Sequence, residues 1–222
     1  MNYPIPTIRQ MVASLKKFGV ANQFLQAGVI AITCTEGGFQ PVRETGDSGY
    51  GKTPNARLRQ LFTKRLERYT DDDLLTLKCD NIRFFDVVYG GILGNSAVGD
   101  GWKYRGGGFN QLTYRGLYDL HGRRMGIDLV SNPDRISEVP VASDVLGSFF
   151  ADGFVQGERG GLLKKKYNLE KVNDAADLTT ASMIAFQINA GWGTNLSGEV
   201  FKKEHSQQLT KIKDIYTIIQ TL

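Results

Sequence analysis

Two observations predict a mainly α fold for this 222-residue chain, α+β only through one small β-hairpin. Apolar residues recur at helical spacing in segment after segment. No run of strands alternates with the helices, which argues against a parallel α/β sheet. The length allows one substantial core or two lobes sharing a helix, and residues 1–222 read as a single domain.

The elements follow in order. Pro4 and Pro6 open a first helix through Lys17, with Ile8, Met11, Val12 and Leu15 on its apolar face. A second helix runs from Asn22 to Cys34, carrying Phe24, Leu25, Gly28, Val29 and Ile32. Residues 40–53 are irregular and polar, with room for a short β-hairpin. Thr53 as N-cap and Pro54 at the first position start a helix to about Tyr69. Thr70-Asp71-Asp72-Asp73 resembles a capping box. Asn81 to Tyr89 reads as a helix stopped by Gly90-Gly91. Gly94 to Gly108 is dense in glycine and aromatics, too specific for a linker. Helices are then expected over Phe109–Met125, Val141–Phe154, Thr179–Ile188 and Ser197–Leu222.

Lys plus Arg is 27 and Asp plus Glu is 23, a net charge of +4. That mild excess helps a protein approach an anionic polymer, a bacterial wall or a nucleic acid. No basic run with interleaved aromatics marks a nucleic-acid face, and Lys164-Lys165-Lys166 reads as a solvated turn. Cys34 and Cys79 read as buried free thiols, with a disulfide as the alternative. His121 and His205 form no zinc pattern. The residues Met1-Asn2-Tyr3-Pro4 lack the basic-then-apolar layout of a secretion signal, and no apolar run approaches the roughly 20 residues that span a bilayer. A protein made soluble in a cytoplasm is the expectation.

Gly46-Asp47-Ser48-Gly49-Tyr50-Gly51-Lys52-Thr53 matches the phosphate-loop pattern as text. That loop requires a buried strand ahead of it, and Phe39 to Thr45 is polar and contains Pro41. An NTPase is disfavoured on that ground. Thr35-Glu36-Gly37-Gly38-Phe39 points elsewhere. The glycines stop the second helix, so Glu36 falls at its negative carboxyl end, behind apolar turns. Dipole and burial both push a carboxyl pKa up, as a general acid near neutral pH requires. The plainer alternative is a solvated Glu beside a helix cap. Glycoside hydrolysis uses two carboxyls, and Glu44 and Asp47 are both candidates for the second.

The chain resembles the phage-endolysin and bacterial branch of glycoside hydrolase family 19, the chitinase-like enzymes. The family's His-Glu-Ser-Gly-Gly-Phe corresponds to Thr35-Glu36-Gly37-Gly38-Phe39, one residue shorter. Its second carboxylate, in Glu-Asn-Leu-Asn-Tyr-Ser, corresponds to Glu44. The densest match is Val88-Tyr89-Gly90-Gly91-Ile92-Leu93-Gly94-Asn95, then Gly99-Asp100-Gly101-Trp102-Lys103-Tyr104-Arg105-Gly106, then Gln111-Leu112-Thr113. Gly126-Ile127-Asp128-Leu129-Val130-Ser131-Asn132-Pro133 and Asn189 continue it, so the similarity runs from about Ala27 to Gly193.

The resemblance implies a two-lobed, lysozyme-like helical fold and no cofactor or metal. It implies Glu36 as general acid and Glu44 as the base that activates water, with inversion at the anomeric carbon. Thr113 would help hold the water; Gln111 and Asn189 would bind sugar groups; Tyr104 and Arg105 would shape the cleft floor, with Arg105 tuning a carboxyl by its charge. Trp102 and Trp192 would stack on sugars or pack. The chain departs from the family at Thr35, Gly107 and Leu117, and its longer loop before Tyr50 keeps Asp47 open as the base.

The expected activity is hydrolysis of β-1,4 links between N-acetylhexosamines, in peptidoglycan ahead of chitin. The expected state is a monomer without nucleic-acid or membrane partners, acting at the bacterial wall after release by a holin or delivery in a virion. A lytic transglycosylase and a non-catalytic glycan-binding virion protein are the rival readings.

Overall fold

The computed structural model describes residues 3–34, 38–44, 50–152, 154–157, 161–165, 170, 173–190 and 206–222, without the side chains of 154–157, 161–165, 186–187, 189–190 and 206–207. In chain order the helices are α1 (Ile5–Lys17), α2 (Gln23–Thr33), α3 (Asn55–Leu61), α4 (Thr63–Leu66), α5 (Asp71–Leu77), α6 (Asn81–Tyr89), α7 (Asp100–Lys103) and α8 (Arg115–Met125). A 3-10 turn at Pro133–Ser137 leads into α9 (Val139–Asp152). Strands β1 (Phe154–Gly157) and β2 (Gly161–Lys165) precede α10 (Leu178–Ala190) and α11 (Ser206–Ile219). The described residues are mainly helical, as the sequence predicts, with one small antiparallel strand pair.

Contacts divide it into two compact units. The first comprises residues 1–41, 108–110 and 137–222. Its hub is α2, apolar on nearly every face and so suited to a fully enclosed position. Leu25, Ala27, Val29 and Ile30 are fully buried there. The Asn22 side chain caps α2 by accepting from Leu25 N at 3.0 Å. Helices α10 and α11 pack on α2, and α9 packs on α1. Gly28 allows the close approach, since a Cβ there would lie a tight 3.2 Å from Ser182 Cα on α10. The hairpin belongs to this unit, antiparallel, with Phe154 opposite Lys165 and an irregularity between Val155 and Gly157.

The second unit comprises residues 42–107 and 111–136. Its core gathers Leu58, Leu66, Leu74, Leu77, Phe84, Phe85 and Val88, with Tyr50, Phe62, Tyr89 and Trp102 packed against it. Thr70 and Asp73 form the expected capping box for α5. Asp80 caps α6, accepting from Arg83 N at 3.1 Å.

Several local expectations are corrected. The described residues of 40–53 form no strand; the paired strands are Phe154–Gly157 and Gly161–Lys165, where the sequence reads as helix end and turn. Pro54, not Thr53, is the cap residue of α3, without a side-chain bond. The single helix expected from Pro54 to Tyr69 breaks at Phe62 (φ −122, ψ 39), whose ring packs edge-on to Tyr50, Phe84 and Tyr89. The helix expected from Phe109 begins only at Arg115. There, Gly107 and Leu112 pair as an isolated bridge, while Gln111 (φ 51) and Tyr114 (φ 80) adopt positive φ. The C-terminal helix is described from Ser206, and 191–205 lie outside the described residues. Both thiols are free, but only Cys34 is buried; Cys79 is exposed. Burial pushes the Cys34 thiol up to about 12.

Candidate active site

The glycine-dense stretch forms a polar frame on the end of α6. Asp86, on α6, accepts from Gly99 N at 2.6 Å and Gly101 N at 2.9 Å. Glycine is obligatory at 101, because a Cβ there would lie 2.2 Å from Phe85 O. Buried Asn95 donates to Tyr89 O at 3.1 Å and accepts from Arg115 N at 2.8 Å. It thereby ties the last residue of α6 to the first of α8. This frame fixes Tyr89.

Glu44 is fastened to the same frame by its main chain. Glu44 N donates to Gly106 O at 2.8 Å, and Arg105 Nε donates to Glu44 O at 2.5 Å. One residue earlier, Arg43 donates to Lys103 O at 2.5 Å and pairs with Asp134. Gln111 Nε2 donates to Val42 O at 3.1 Å. The segment 42–44 is therefore held on both sides before its side chains are considered.

Three donors then converge on the half-buried Glu44 carboxylate. Tyr50 OH donates to Oε1 at 2.5 Å. Tyr89 OH lies 3.2 Å from Oε1 and 3.1 Å from Oε2. Gly106 N donates to Oε2 at 3.3 Å. Charge-assisted bonds of this kind are stronger than neutral ones and fix the carboxylate plane. A Cβ at Gly106 would lie 2.9 Å from Gln111 Oε1 and 3.2 Å from Glu44 Oε2, so the missing side chain makes room for the carboxylate. The phenols of Tyr50 and Tyr89 are both held well above the usual tyrosine range, first by burial and then by the Glu44 charge. They remain donors throughout the neutral range. A carboxylate so held is fixed in position, with donors facing both oxygens.

The residues expected at the site separate into three groups. Glu44, Arg105, Gln111 and Thr113 are brought into one unit. Arg105 holds the Glu44 main chain rather than pairing with its carboxylate, and stacks on Trp102 with 3.6 Å between guanidinium carbon and ring centroid. Burial, then Arg43, lowers the Arg105 pKa. Thr113 lies in the turn before α8 and donates to Gln111 O at 3.0 Å. Tyr104, expected on the cleft floor, lies in the core: it is 1% exposed and its hydroxyl donates to Val130 O at 3.0 Å. Glu36, Asp47 and Trp192 lie outside the described residues. Asn189 lies in α10, and its side chain is outside the description. Helix α2 closes at Thr33 with Cys34 as cap, earlier than the glycines expected to stop it, and Gly38 takes a positive φ (58) beyond that cap. At the phosphate-loop look-alike, the described residues ahead of it carry no strand.

Sequence reasoning missed the carboxylate's partners, Tyr50, Tyr89 and Gly106. Tyr89 and Gly106 stand inside the matched motifs. Their recurrence there was the available signal, though nothing local tied them to Glu44. Among the described residues no cluster of His, Cys, Asp or Glu could hold a metal, and no helix is long and apolar enough to cross a membrane.

The chain shares the lysozyme-like helical fold of solved chitinases. A crystal structure of a bacterial family 19 chitinase superposes with a TM-score of 0.52 at 16% identity, over 97% of this chain and 86% of that one. The crystal structure of a chitinase C mutant gives a TM-score of 0.51 at 14% identity, over 96% and 83%. At such identities the likeness is one of fold. No family model matches the chain, and no curated protein matches it.

Proposed function

We propose that the protein is a glycoside hydrolase cleaving β-1,4 links between N-acetylhexosamines, with peptidoglycan as its polymer. The observation that carries this reading is the Glu44 carboxylate, clamped by Tyr50, Tyr89 and Gly106 on a rigid main-chain frame. In the proposed reaction Glu44 takes a proton from water as that water attacks the anomeric carbon. Glu36 protonates the departing glycosidic oxygen, and the configuration inverts. Thr113 and Gln111 stand close in sequence and space to contribute to holding water and sugar. A net charge of +4 suits an anionic wall, and lysis of a bacterial host by a phage lysin is the setting proposed. Chitin is the second reading, favoured because the solved neighbours are chitinases.

The test is mass spectrometry of products from purified peptidoglycan and from chitin oligomers. The wild type, Glu36→Gln, Glu44→Gln and Asp47→Asn are compared. Reducing-end products are expected, with turnover lowered about 10²–10⁴-fold in Glu44→Gln, the usual contribution of a general base. Anhydro ends would identify a transglycosylase. Full activity in Glu44→Gln with loss in Asp47→Asn would move the base to Asp47.

A further inference from the structure

We infer that an arginine-lined groove along α6, in the unit that holds Glu44, binds a carboxylate-bearing peptide carried on the glycan, an assignment that rests on the hydrolase reading for the glycan it accompanies. The groove has a volume of about 480 Å³ and lies along α6. Arg65, Arg68 and Arg83 line it, together with Ile82, Val87 and Val98. Arg65, Arg68 and Val87 also border an adjoining depression with Lys64 and Glu67. Ile82 is 50% exposed and Val98 is 95% exposed, so apolar surface stands open between the guanidinium groups.

The groove also contains Asp80 and Asp86, so its net charge is modest. What distinguishes it is which groups remain available. Asp80 caps α6 through Arg83 N, and Asp86 holds Gly99 N and Gly101 N. Asp73, on which Arg83 acts at a distance, holds the Thr70 cap. Arg68 lies over the Tyr69 ring at 5.6 Å. Among the described residues, no carboxylate forms an ion pair with Arg65, Arg68 or Arg83. The hydrogen-bonding capacity left over is therefore largely donor, in the planar fork that matches a carboxylate.

The groove is connected to the catalytic glutamate. Arg65 N donates to Phe62 O at 2.9 Å, and the Phe62 ring meets those of Tyr50 and Tyr89, both Glu44 donors, edge-on at 5.4 and 6.1 Å. A glycan bound at Glu44 would bring its substituents near these arginines. A polymer of N-acetylglucosamine alone has no anion to offer them. A peptide with free carboxylates and alkyl side chains satisfies both the guanidinium groups and the surface of Ile82, Val87 and Val98. The substrate class assigned is thus a β-1,4 glycan bearing acidic peptides.

The test is calorimetric titration of the full chain with a soluble disaccharide-peptide from peptidoglycan, the same disaccharide stripped of peptide, and a chitin hexamer. Arg68 and Arg83 are exposed, so Arg68→Gln/Arg83→Gln leaves the core untouched; Arg65→Gln is the second variant. The wild type is expected to bind the peptide-bearing fragment at least about tenfold more tightly than the stripped one. Both variants should lose that preference and bind the chitin hexamer unchanged. Equal wild-type affinity for the two fragments overturns the assignment. So does an equal loss on all three ligands in the variants. Hydrolysis is read separately: a peptide preference without any cleaved product would sink the hydrolase reading and leave the groove standing.

Discussion

Burial decides the charge of His121. The imidazole lies on α8 at 1% exposure, and burial, then Arg124, lowers its pKa from 6.5 to about 4. The folded protein therefore keeps it neutral where the unfolded chain would protonate it. The unfolded state binds the extra proton between these values, so stability rises with pH across that window. The contribution is full above pH 6.5 and is lost as pH falls toward about 4. At about 1.4 kcal/mol per pH unit, the loss is on the order of 3 kcal/mol. Urea unfolding of the wild type and His121→Gln checks this. Acidification from about pH 7 to about pH 4.5 should destabilise the wild type more steeply than the variant. Parallel lines for the two proteins would show that His121 titrates normally when folded.

At the scale of elements, two glycines in one motif do different work. A Cβ at Gly101 would meet main-chain atoms only, Phe85 O at 2.2 Å, Phe85 C at 2.5 Å and Asp86 N at 2.7 Å. None can yield without lifting α7 from α6 and opening the Asp86 bonds. A Cβ at Gly106 meets first the tip of the Gln111 side chain, which can swing away, and then the Glu44 carboxylate. Gly101→Ala should therefore cost about 1–3 kcal/mol of stability, as overpacking does. Gly106→Ala should unfold nearly as the wild type but lose at least about tenfold in turnover by displacing Glu44. Thermal unfolding beside an activity assay separates them; equal stability losses would contradict the distinction. The same motif shows what the sequence could and could not disclose. Its glycines, Asn95 and Asp100 announced a specific frame, and the helices flanked by strong caps at Asn22, Thr70 and Asp80 were placed closely. Phe109, Leu112 and Leu117 have spacing compatible with a helix, yet the pairing of Gly107 with Leu112 and the positive φ of Gln111 and Tyr114 displace it. The strand pair leaves little pattern, although Gly157 ends one strand and Gly161 opens the other, because its strands are short and lack alternation. Glu44 was found through its motif. Its tyrosine partner at 89 was not, since a contact across 45 positions leaves no local pattern.

At the scale of the molecule, a charge of +4 is too small to dictate a partner, and where the charges lie matters more. Two sources of attraction to an anionic wall can be separated. A diffuse field depends on total charge and fades beyond a Debye length of about 10 Å at 0.1 M salt. A groove of unpaired guanidinium groups depends on Arg68 and Arg83 in particular. Arg68→Gln/Arg83→Gln and Lys16→Gln/Lys213→Gln each lower the net charge by two, the latter at exposed positions on α1 and α11. Binding of the disaccharide-peptide should weaken as salt rises from about 50 to about 500 mM for the wild type and for the lysine variant alike. For the arginine variant the affinity should start about tenfold lower and change little, because the contacts that salt screens are gone. Matching salt slopes for the two variants would mean that total charge, and not the groove, draws the ligand in. In that event the preference for acidic peptide would have to be sought elsewhere on the protein, while the Glu44 clamp, built from neutral phenols and one main-chain N–H, would be unaffected.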